Sequence, residues 1–314
     1  MSKPNRTTPP AAARPVDRRR LLVGTALAAL VTAGGVGYLA QDSRGNEAVR
    51  AGGALPPAEF PEPGVVHVHG LGVDPADGVL YAATHSGLFR LPDGGGDASR
   101  VANRYQDTMG FTVVGPNAFL GSGHPDFRED NPPRLGLIES TDAGQSWQSL
   151  SLRGEADFHS LQAAHGRVYG YESGSGAFLV STDRQEWESR SELAMRDFAV
   201  SPTDPDTVLA TTRQGLARST DGGRSWSGVD GAPTLAVLGW AQEGSLYGVG
   251  PDGVVQHSGD GGTTWTRRGN AGGAPEAMTV DLREGQETVY VAVAERGILQ
   301  STDGGASFTT RYAE

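Results

Sequence analysis

The chain has 314 residues, no cysteine and a formal net charge of −11. Without cysteine, disulfide bonds, thiolate metal ligands, a cysteine nucleophile and a lipid-modified cysteine are all excluded. Residues 1–40 hold six basic side chains and one acidic side chain, which leaves 20 basic and 36 acidic side chains from residue 41 onward. Such an acidic body repels phosphate backbones, so nucleic acid is not an expected partner.

A run of 20 residues without charge lies near the amino terminus, at 21–40. It is long enough to cross a bilayer as a helix, and basic residues lie on its amino-terminal side. We therefore expect a basic cytoplasmic segment over 1–20, a signal peptide or transmembrane anchor over 21–40, and a flexible tether over 41–64. The arginines at 18–20 resemble a twin-arginine export signal. The rest of the chain would be extracytoplasmic, either secreted or membrane-anchored, and Tyr38 leaves signal cleavage open.

One short turn sequence recurs along the chain at intervals of 38 to 43 residues. Its pattern is typical of the Asp-box (BNR) turn, in which Ser and Asp bond to backbone groups and Gly takes a positive φ. The aromatic residue that ends each copy is expected to pack between neighbouring sheets. A degenerate copy lies at 91–98. The expected structural positions are Ser140, Asp142, Gly144, Trp147, Asp183, Trp187, Ser219, Asp221, Gly223, Trp226, Ser258, Asp260, Gly262, Trp265, Ser301, Asp303, Gly305 and Phe308.

The repeat period predicts a β-propeller. Runs of alternating apolar residues precede the turns, and a period near 40 residues is typical of a four-stranded blade. With each turn between the third and fourth strands, six units begin near residues 65, 107, 157, 197, 234 and 277. We therefore predict an all-β fold, a six-bladed β-propeller over residues 65–314.

Most histidines fall at one predicted mouth of the central channel, where first strands begin and second strands end. The candidate ligand-binding side chains there are His67, His69, His85, His124, His159, Arg128 and Arg213. Four carboxyl groups are candidates for general acid and base: Asp157, Asp107, Asp126 and Glu172.

A divalent metal is the one cofactor that the mouth suggests. Regular alternation along the first strand would put His67 and His69 on the same side, where they could share a copper or zinc ion. His124 and His159 are the further candidate ligands. Hydrogen bonding of the same imidazoles to backbone groups in a wet channel is the alternative.

An insertion at 121–136, rich in Pro and mixed charge, follows the second strand of the second unit on the same face. Loops of this length on a rigid scaffold often form lids or the edges of binding sites. The alternative is a surface loop without a binding role.

Several motifs resemble bacterial exported Asp-box proteins of the sialidase-like and glycosyl hydrolase type. They are the sequences at 67–75 (HVHGLGVDP), 121–125 (GSGHP), 135–142 (LGLIESTD) and 157–161 (DFHSL), together with the repeated turns. The resemblance implies a propeller and a glycosyl hydrolase-like function. Photosystem-assembly factors and sortilin-type receptors have related architectures and bind proteins or peptides. The arginine triad that sialidase chemistry requires has no counterpart in the predicted units.

Three functions follow from these patterns. The first is an extracytoplasmic binding or assembly module whose mouth engages a glycan, peptide or protein. The second is a glycoside hydrolase in which Asp157 and another mouth carboxylate act as acid and base. The third is a histidine site for copper or zinc.

Overall fold

The structure of the protein is a computed structural model that describes residues 64–93 and 97–313. The predicted segments 1–20 and 21–40, and the tether before residue 64, lie outside the described residues. No helix within the described ranges has the length and apolar character needed to span a membrane.

Twenty-four strands form six antiparallel sheets of four strands each. Each sheet is one blade, built from strands that are consecutive in the chain and ordered from the inside outward. Blades I to III comprise β1 Val68–Val73, β2 Leu80–Thr84, β3 Gly87–Leu91, β4 Ser99–Arg100; β5 Asp107–Gly115, β6 Ala118–His124, β7 Leu137–Ser140, β8 Gln148–Ser151; and β9 Phe158–Ala164, β10 Arg167–Glu172, β11 Ala177–Ser181, β12 Glu188–Glu192.

Blades IV to VI follow in the same order. They comprise β13 Met195–Val200, β14 Val208–Thr212, β15 Gly215–Ser219, β16 Ser227–Gly228; β17 Val237–Gln242, β18 Ser245–Val249, β19 Val254–Ser258, β20 Thr266–Asn270; and β21 Pro275–Arg283, β22 Gln286–Val293, β23 Gly297–Ser301, β24 Thr309–Tyr312. A 3-10 turn at Val101–Asn103 follows β4. The six-bladed β-propeller is confirmed, and its inner strands begin within three residues of the predicted unit starts.

Six hydrophobic clusters hold the blades together, one at each interface between neighbouring blades. Second strands are buried on both faces and therefore read as continuous apolar runs, such as Leu80–Thr84. Blades VI and I close the ring through side-chain contacts. The Val68 amide donates to Glu276 Oε2 at 3.0 Å, and Arg311 donates to the Leu91 carbonyl at 2.7 Å.

The repeated turns staple the face opposite the predicted mouth. In blade IV, Ser219 Oγ donates to Asp221 Oδ1 at 2.8 Å and accepts the Gly223 amide at 2.7 Å. Gly223 has φ +88°, and a Cβ there would lie 2.2 Å from a ring carbon of Phe178 in blade III. The Trp226 ring stacks edge-on against the same phenylalanine, at 5.5 Å between centroids. The turn therefore requires glycine and joins two blades at once.

The turns that begin at Ser140, Ser258 and Ser301 repeat this hydrogen-bond pattern. Their aspartates accept further bonds from the turn backbone and hydroxyls, and these bonds lower the pKa of Asp260 to about 2. In the turn one residue shorter, at 181–187, the Arg184 amide replaces the glycine amide as donor to Ser181 Oγ, at 2.8 Å. The degenerate copy at 91–98 includes residues 94–96, outside the described ranges.

Candidate functional site

Five of the six inner strands carry a β-bulge near their start, after the first residue pair in blades I, III, IV and VI and after the second pair in blade II. A bulge leaves one residue unpaired and re-aims its side chain. Here each unpaired residue lines the central channel, and we call these five residues the bulge ring. They are His69, Met109, His159, Arg196 and Glu276.

The channel behind the bulge ring encloses about 650 Å³. Blade V contributes no residue to the ring, because its bulge lies at Ala241, toward the far end of the inner strand. The long side chain of Arg196 crosses this sector, and its Nη2 donates to the Pro275 carbonyl of blade VI at 2.6 Å. The mouth therefore carries imidazole, thioether, guanidinium and carboxylate groups in one narrow circle.

Asp107 lies between two imidazoles at the boundary of blades I and II. Its Oδ1 is 3.4 Å from His69 Nε2, and its Oδ2 is 2.9 Å from His85 Nδ1. His69 Nε2 and Asp107 Oδ1 are buried, and neither makes a hydrogen bond within the described part of the chain. The two atoms therefore face each other across a contact that satisfies neither of them.

Asp157 has a similar setting at the boundary of blades II and III. Its Oδ2 lies 3.1 Å from His159 Nε2 and 3.5 Å from His124 Nε2. Burial alone would raise the pKa of Asp157, but the hydrogen bond with His159 and the charges of His124 and Arg134 outweigh it, so the pKa lies below its usual range. Asp157 is therefore an ionised carboxylate at neutral pH.

The other two candidate carboxyl groups are engaged by local structure. Asp126 is buried, accepts the Tyr105 amide at 2.8 Å and pairs with the Arg128 guanidinium. Glu172 accepts the Ser175 amide at 2.7 Å and its hydroxyl at 2.6 Å, and so caps the turn after β10. The structure thus brings Asp107 and Asp157 to the histidines and places Asp126 and Glu172 in loop-stabilising roles.

The remaining candidates are spread over the same face. His67, at φ +51° just before β1, lies 3.7 Å from Glu276, and its exposed ring is 6.5 Å from that of His85. The bulge at His69 interrupts the regular alternation expected for this strand. Arg213 is exposed in the turn after β14. The proposed metal ligands His67, His69, His124 and His159 therefore divide between three carboxylates: Glu276, Asp107 and Asp157.

Arg196 and Glu276 are site residues that sequence reasoning missed. Each follows the first paired residue of its inner strand by one position, as His69 and His159 do. The first serine of the turn follows the bulged residue by 22 positions in blade III (181 − 159), 23 in blade IV (219 − 196) and 25 in blade VI (301 − 276), so an alignment of the units on their turns needs short gaps to bring these residues together.

The insertion at 121–136 presents an aromatic side chain beside the mouth. Phe127 is 81% exposed, and its ring lies 5.9 Å from that of Tyr105. The Arg128 guanidinium lies over both rings, 4.8 Å from Tyr105 and 5.7 Å from Phe127. This stack holds a large apolar group in solvent in a fixed position.

Asp197 is a carboxyl group in the channel wall that joins three blades. Its Oδ2 accepts the Leu238 amide of blade V at 2.9 Å, and its Oδ1 accepts the Ser160 hydroxyl of blade III at 3.2 Å. Burial raises the pKa of Asp197 to about 6, against the opposing effect of these bonds.

Comparison with known proteins gives limited similarity. No protein-family model matches the chain. It is 34% identical over 154 residues to a xyloglucanase of Hypocrea jecorina, a match that covers 43% of this chain and 18% of the xyloglucanase. The chain thus spans less than a fifth of that curated relative's length.

Solved structures of similar fold include the following two. One is the GH74 xyloglucanase from Xanthomonas campestris, with a TM-score of 0.52, 18% identity, and coverage of 78% of this chain and 45% of that chain. The other is a chain of a nidogen–laminin complex, with a TM-score of 0.57, 10% identity, and coverage of 74% and 92%. At these identities the likeness shows the propeller fold alone.

Proposed function

We propose that this propeller is a non-catalytic binding module that engages a partner protein outside the cytoplasmic membrane. The observation that carries the proposal is the bulge ring, since the same distortion recurs in five blades and turns five side chains toward one mouth. A bulge disrupts the local hydrogen-bond ladder, and bulges are over-represented where a side chain must be re-aimed for function.

The surface beside the ring supports a protein partner. Phe127 and Arg128 are held together in solvent at its edge. Aromatic and arginine side chains are enriched among the residues that dominate binding energy at protein interfaces. The nidogen–laminin complex, in which a propeller of similar fold takes part in a protein complex, agrees with this reading.

The carboxyl groups favour binding over glycoside hydrolysis. A glycosidase needs one carboxyl group with a raised pKa as general acid and a second carboxylate facing it. Asp157 has a lowered pKa, whereas Asp197, whose pKa is raised, uses both oxygens to accept bonds from neighbouring blades. Neither environment suits proton donation to a sugar leaving group.

We further propose that the repeated turns are Asp-box turns of the BNR type, which their Ser-to-Asp and Gly-to-Ser hydrogen bonds support. We also propose that residues 1–40 direct export, with 21–40 as a signal peptide or anchor. The supporting feature is a basic segment followed by an apolar run.

A photo-crosslinking experiment on the full-length protein tests the binding face. A benzoylphenylalanine at position 127 replaces a side chain that is 81% exposed, and the same group at position 282, where Leu282 is 39% exposed at the far end of β21, is the matched control. Both are introduced in cells that export the protein. We expect a discrete crosslinked protein from position 127, absent from position 282 and reduced by Arg196→Ala. Equal crosslinking at both positions, or none at either, would overturn the proposal.

The local identity to a xyloglucanase favours glycoside hydrolysis as a second candidate function. Xyloglucan and a panel of other glycans are incubated with the protein and with Asp157→Asn, and released reducing sugar is measured. The binding proposal predicts no release by either protein. Release by the parent that is lost in Asp157→Asn would instead establish a hydrolase with Asp157 in its active site.

A further inference from the structure

The geometry points to a divalent transition-metal site formed by His69, His85 and Asp107, which would take a zinc or copper ion. One ligand atom from each residue lies within 4.8 Å of the others. Imidazole nitrogen and carboxylate oxygen suit both metals. The site lies at the edge of the bulge ring, but the inference does not rest on partner binding.

One distance between ligand atoms matches a tetrahedral site. With metal–ligand bonds of about 2.0–2.1 Å, neighbouring ligand atoms lie about 3.4 Å apart. His69 Nε2 and Asp107 Oδ1 are separated by 3.4 Å, and His85 Nδ1 lies 2.9 Å from Asp107 Oδ2. Because the His85 contact is shorter than this spacing, the exposed His85 ring has to move outward to admit an ion among the three side chains.

The hydrogen-bond pattern gives an independent reason. His69 Nε2 and Asp107 Oδ1 are both buried and without hydrogen bonds within the described residues. Buried polar atoms almost always have a partner. A cation between them satisfies both at once, because it accepts the lone pair of the imidazole and neutralises the carboxylate.

Three separate elements hold the ligands. His69 is the bulged residue of β1, His85 follows the last residue of β2, and Asp107 begins β5 in the next blade. His69 and Asp107 lie on strands, and strand-borne ligands are fixed more precisely than ligands on loops, whereas His85 lies in the turn after β2. The side chain of His85 is 66% exposed, so a metal here would keep an open position toward solvent, where water or a fourth ligand binds.

The neighbouring trio of Asp157, His124 and His159 has the same composition but differs in its hydrogen bonding. Both imidazoles point their Nε2 atoms at the same oxygen, Asp157 Oδ2, and the 3.1 Å contact with His159 is a hydrogen bond. The other nitrogen of His124 is bonded to the Pro133 carbonyl at 2.7 Å. Asp157 Oδ1 is buried without a hydrogen bond among the residues described, as Asp107 Oδ1 is, but Asp157 Oδ2 already shares a hydrogen bond with His159 Nε2, so this trio supplies a control of matched composition.

Metal binding is measured on the untagged full-length protein after treatment with a chelator. Zinc and copper(II) are titrated separately by calorimetry, and the copper form is examined by electron paramagnetic resonance. His85→Ala and Asp107→Asn alter the proposed ligands, while His124→Ala and His257→Ala, the latter on β19 of blade V, are controls. His85 is exposed, so its replacement tests the site without disturbing the core.

We expect one ion per chain, with affinity reduced more than about tenfold in His85→Ala and Asp107→Asn and unchanged in both controls. The copper spectrum should lose one of two nitrogen couplings in His85→Ala. Absence of stoichiometric binding, unchanged affinity in His85→Ala, or loss in His124→Ala would each overturn the assignment. Crosslinking at position 127 can succeed or fail irrespective of these outcomes, so the two proposals are tested separately.

Discussion

Asp197 offers a test of how the channel wall is held together, because ionisation of this carboxyl opposes folding. Its pKa rises from an ordinary 3.8 to about 6 through burial. The folded protein therefore binds the proton more tightly than the unfolded chain does. The resulting stabilisation is fully present below pH 3.8 and is lost as the pH rises through about 6. At neutral pH the loss amounts to about 3 kcal/mol.

Asp197→Asn removes the ionisation and keeps the bridge. The amide oxygen can still accept the Leu238 amide, and the amide nitrogen can donate to the Ser160 hydroxyl. Relative to the parent, the free energy of unfolding of the variant should therefore rise by about 2–3 kcal/mol between pH 4 and pH 7. In a domain of this size that corresponds to a rise in Tm of about 5–10 °C.

Thermal unfolding of the parent and variant across this pH range measures the effect. Asp230→Asn, at an exposed position before β17, is the control for a simple change in net charge. We expect the two Tm profiles to diverge as the pH rises for Asp197→Asn and to run parallel for Asp230→Asn. Parallel profiles for both variants would show that Asp197 does not carry the proposed ionisation cost.

Three further substitutions test the turns and the insertion. Ser219→Ala leaves the buried Gly223 amide without its acceptor and should cost about 1–3 kcal/mol, which thermal unfolding measures; an unchanged Tm would contradict the stapling role. Gly223→Ala combines a φ of +88° with a clash against Phe178 and should cost at least about 2 kcal/mol; a stable variant would show that the turn can relax. Asp126→Asn removes the negative charge that pairs with Arg128, so amide hydrogen exchange in the insertion should accelerate while the blades stay protected. The hydrogen bond from Arg128 lowers the pKa of Asp126, so protonation of Asp126 in the parent should open the insertion in the same way as the pH falls toward that lowered pKa.

The fold could be predicted from the sequence because the residues of the repeated turn each have a defined structural role. Ser219 and Asp221 bond within the turn, and Gly223 is the position where a side chain meets the preceding blade. Local chemistry at regular spacing therefore sets the number of blades and the strand order. The prediction of six blades therefore needs only the spacing of the turns, although contacts between distant residues hold the blades together.

The arrangement of the mouth residues could be predicted only in part, because it depends on contacts between blades. His69, His85 and Asp107 were each placed on the correct face, but their grouping depends on the bulge at His69 and on packing between blades I and II. A bulge shifts the side-chain alternation by one residue, and the local sequence around His67 and His69 does not predict a bulge.

The six blades share a scaffold, but their contributions to the mouth are unequal. Blades I and III place an imidazole at the bulge, blade II a thioether, blade IV a guanidinium and blade VI a carboxylate, while blade V has no bulge there. If these positions served only to close the ring of blades, the same residue type could occupy all of them. Their diversity, with Arg196 reaching across the sector of blade V to Pro275, agrees with the proposed binding of one asymmetric partner.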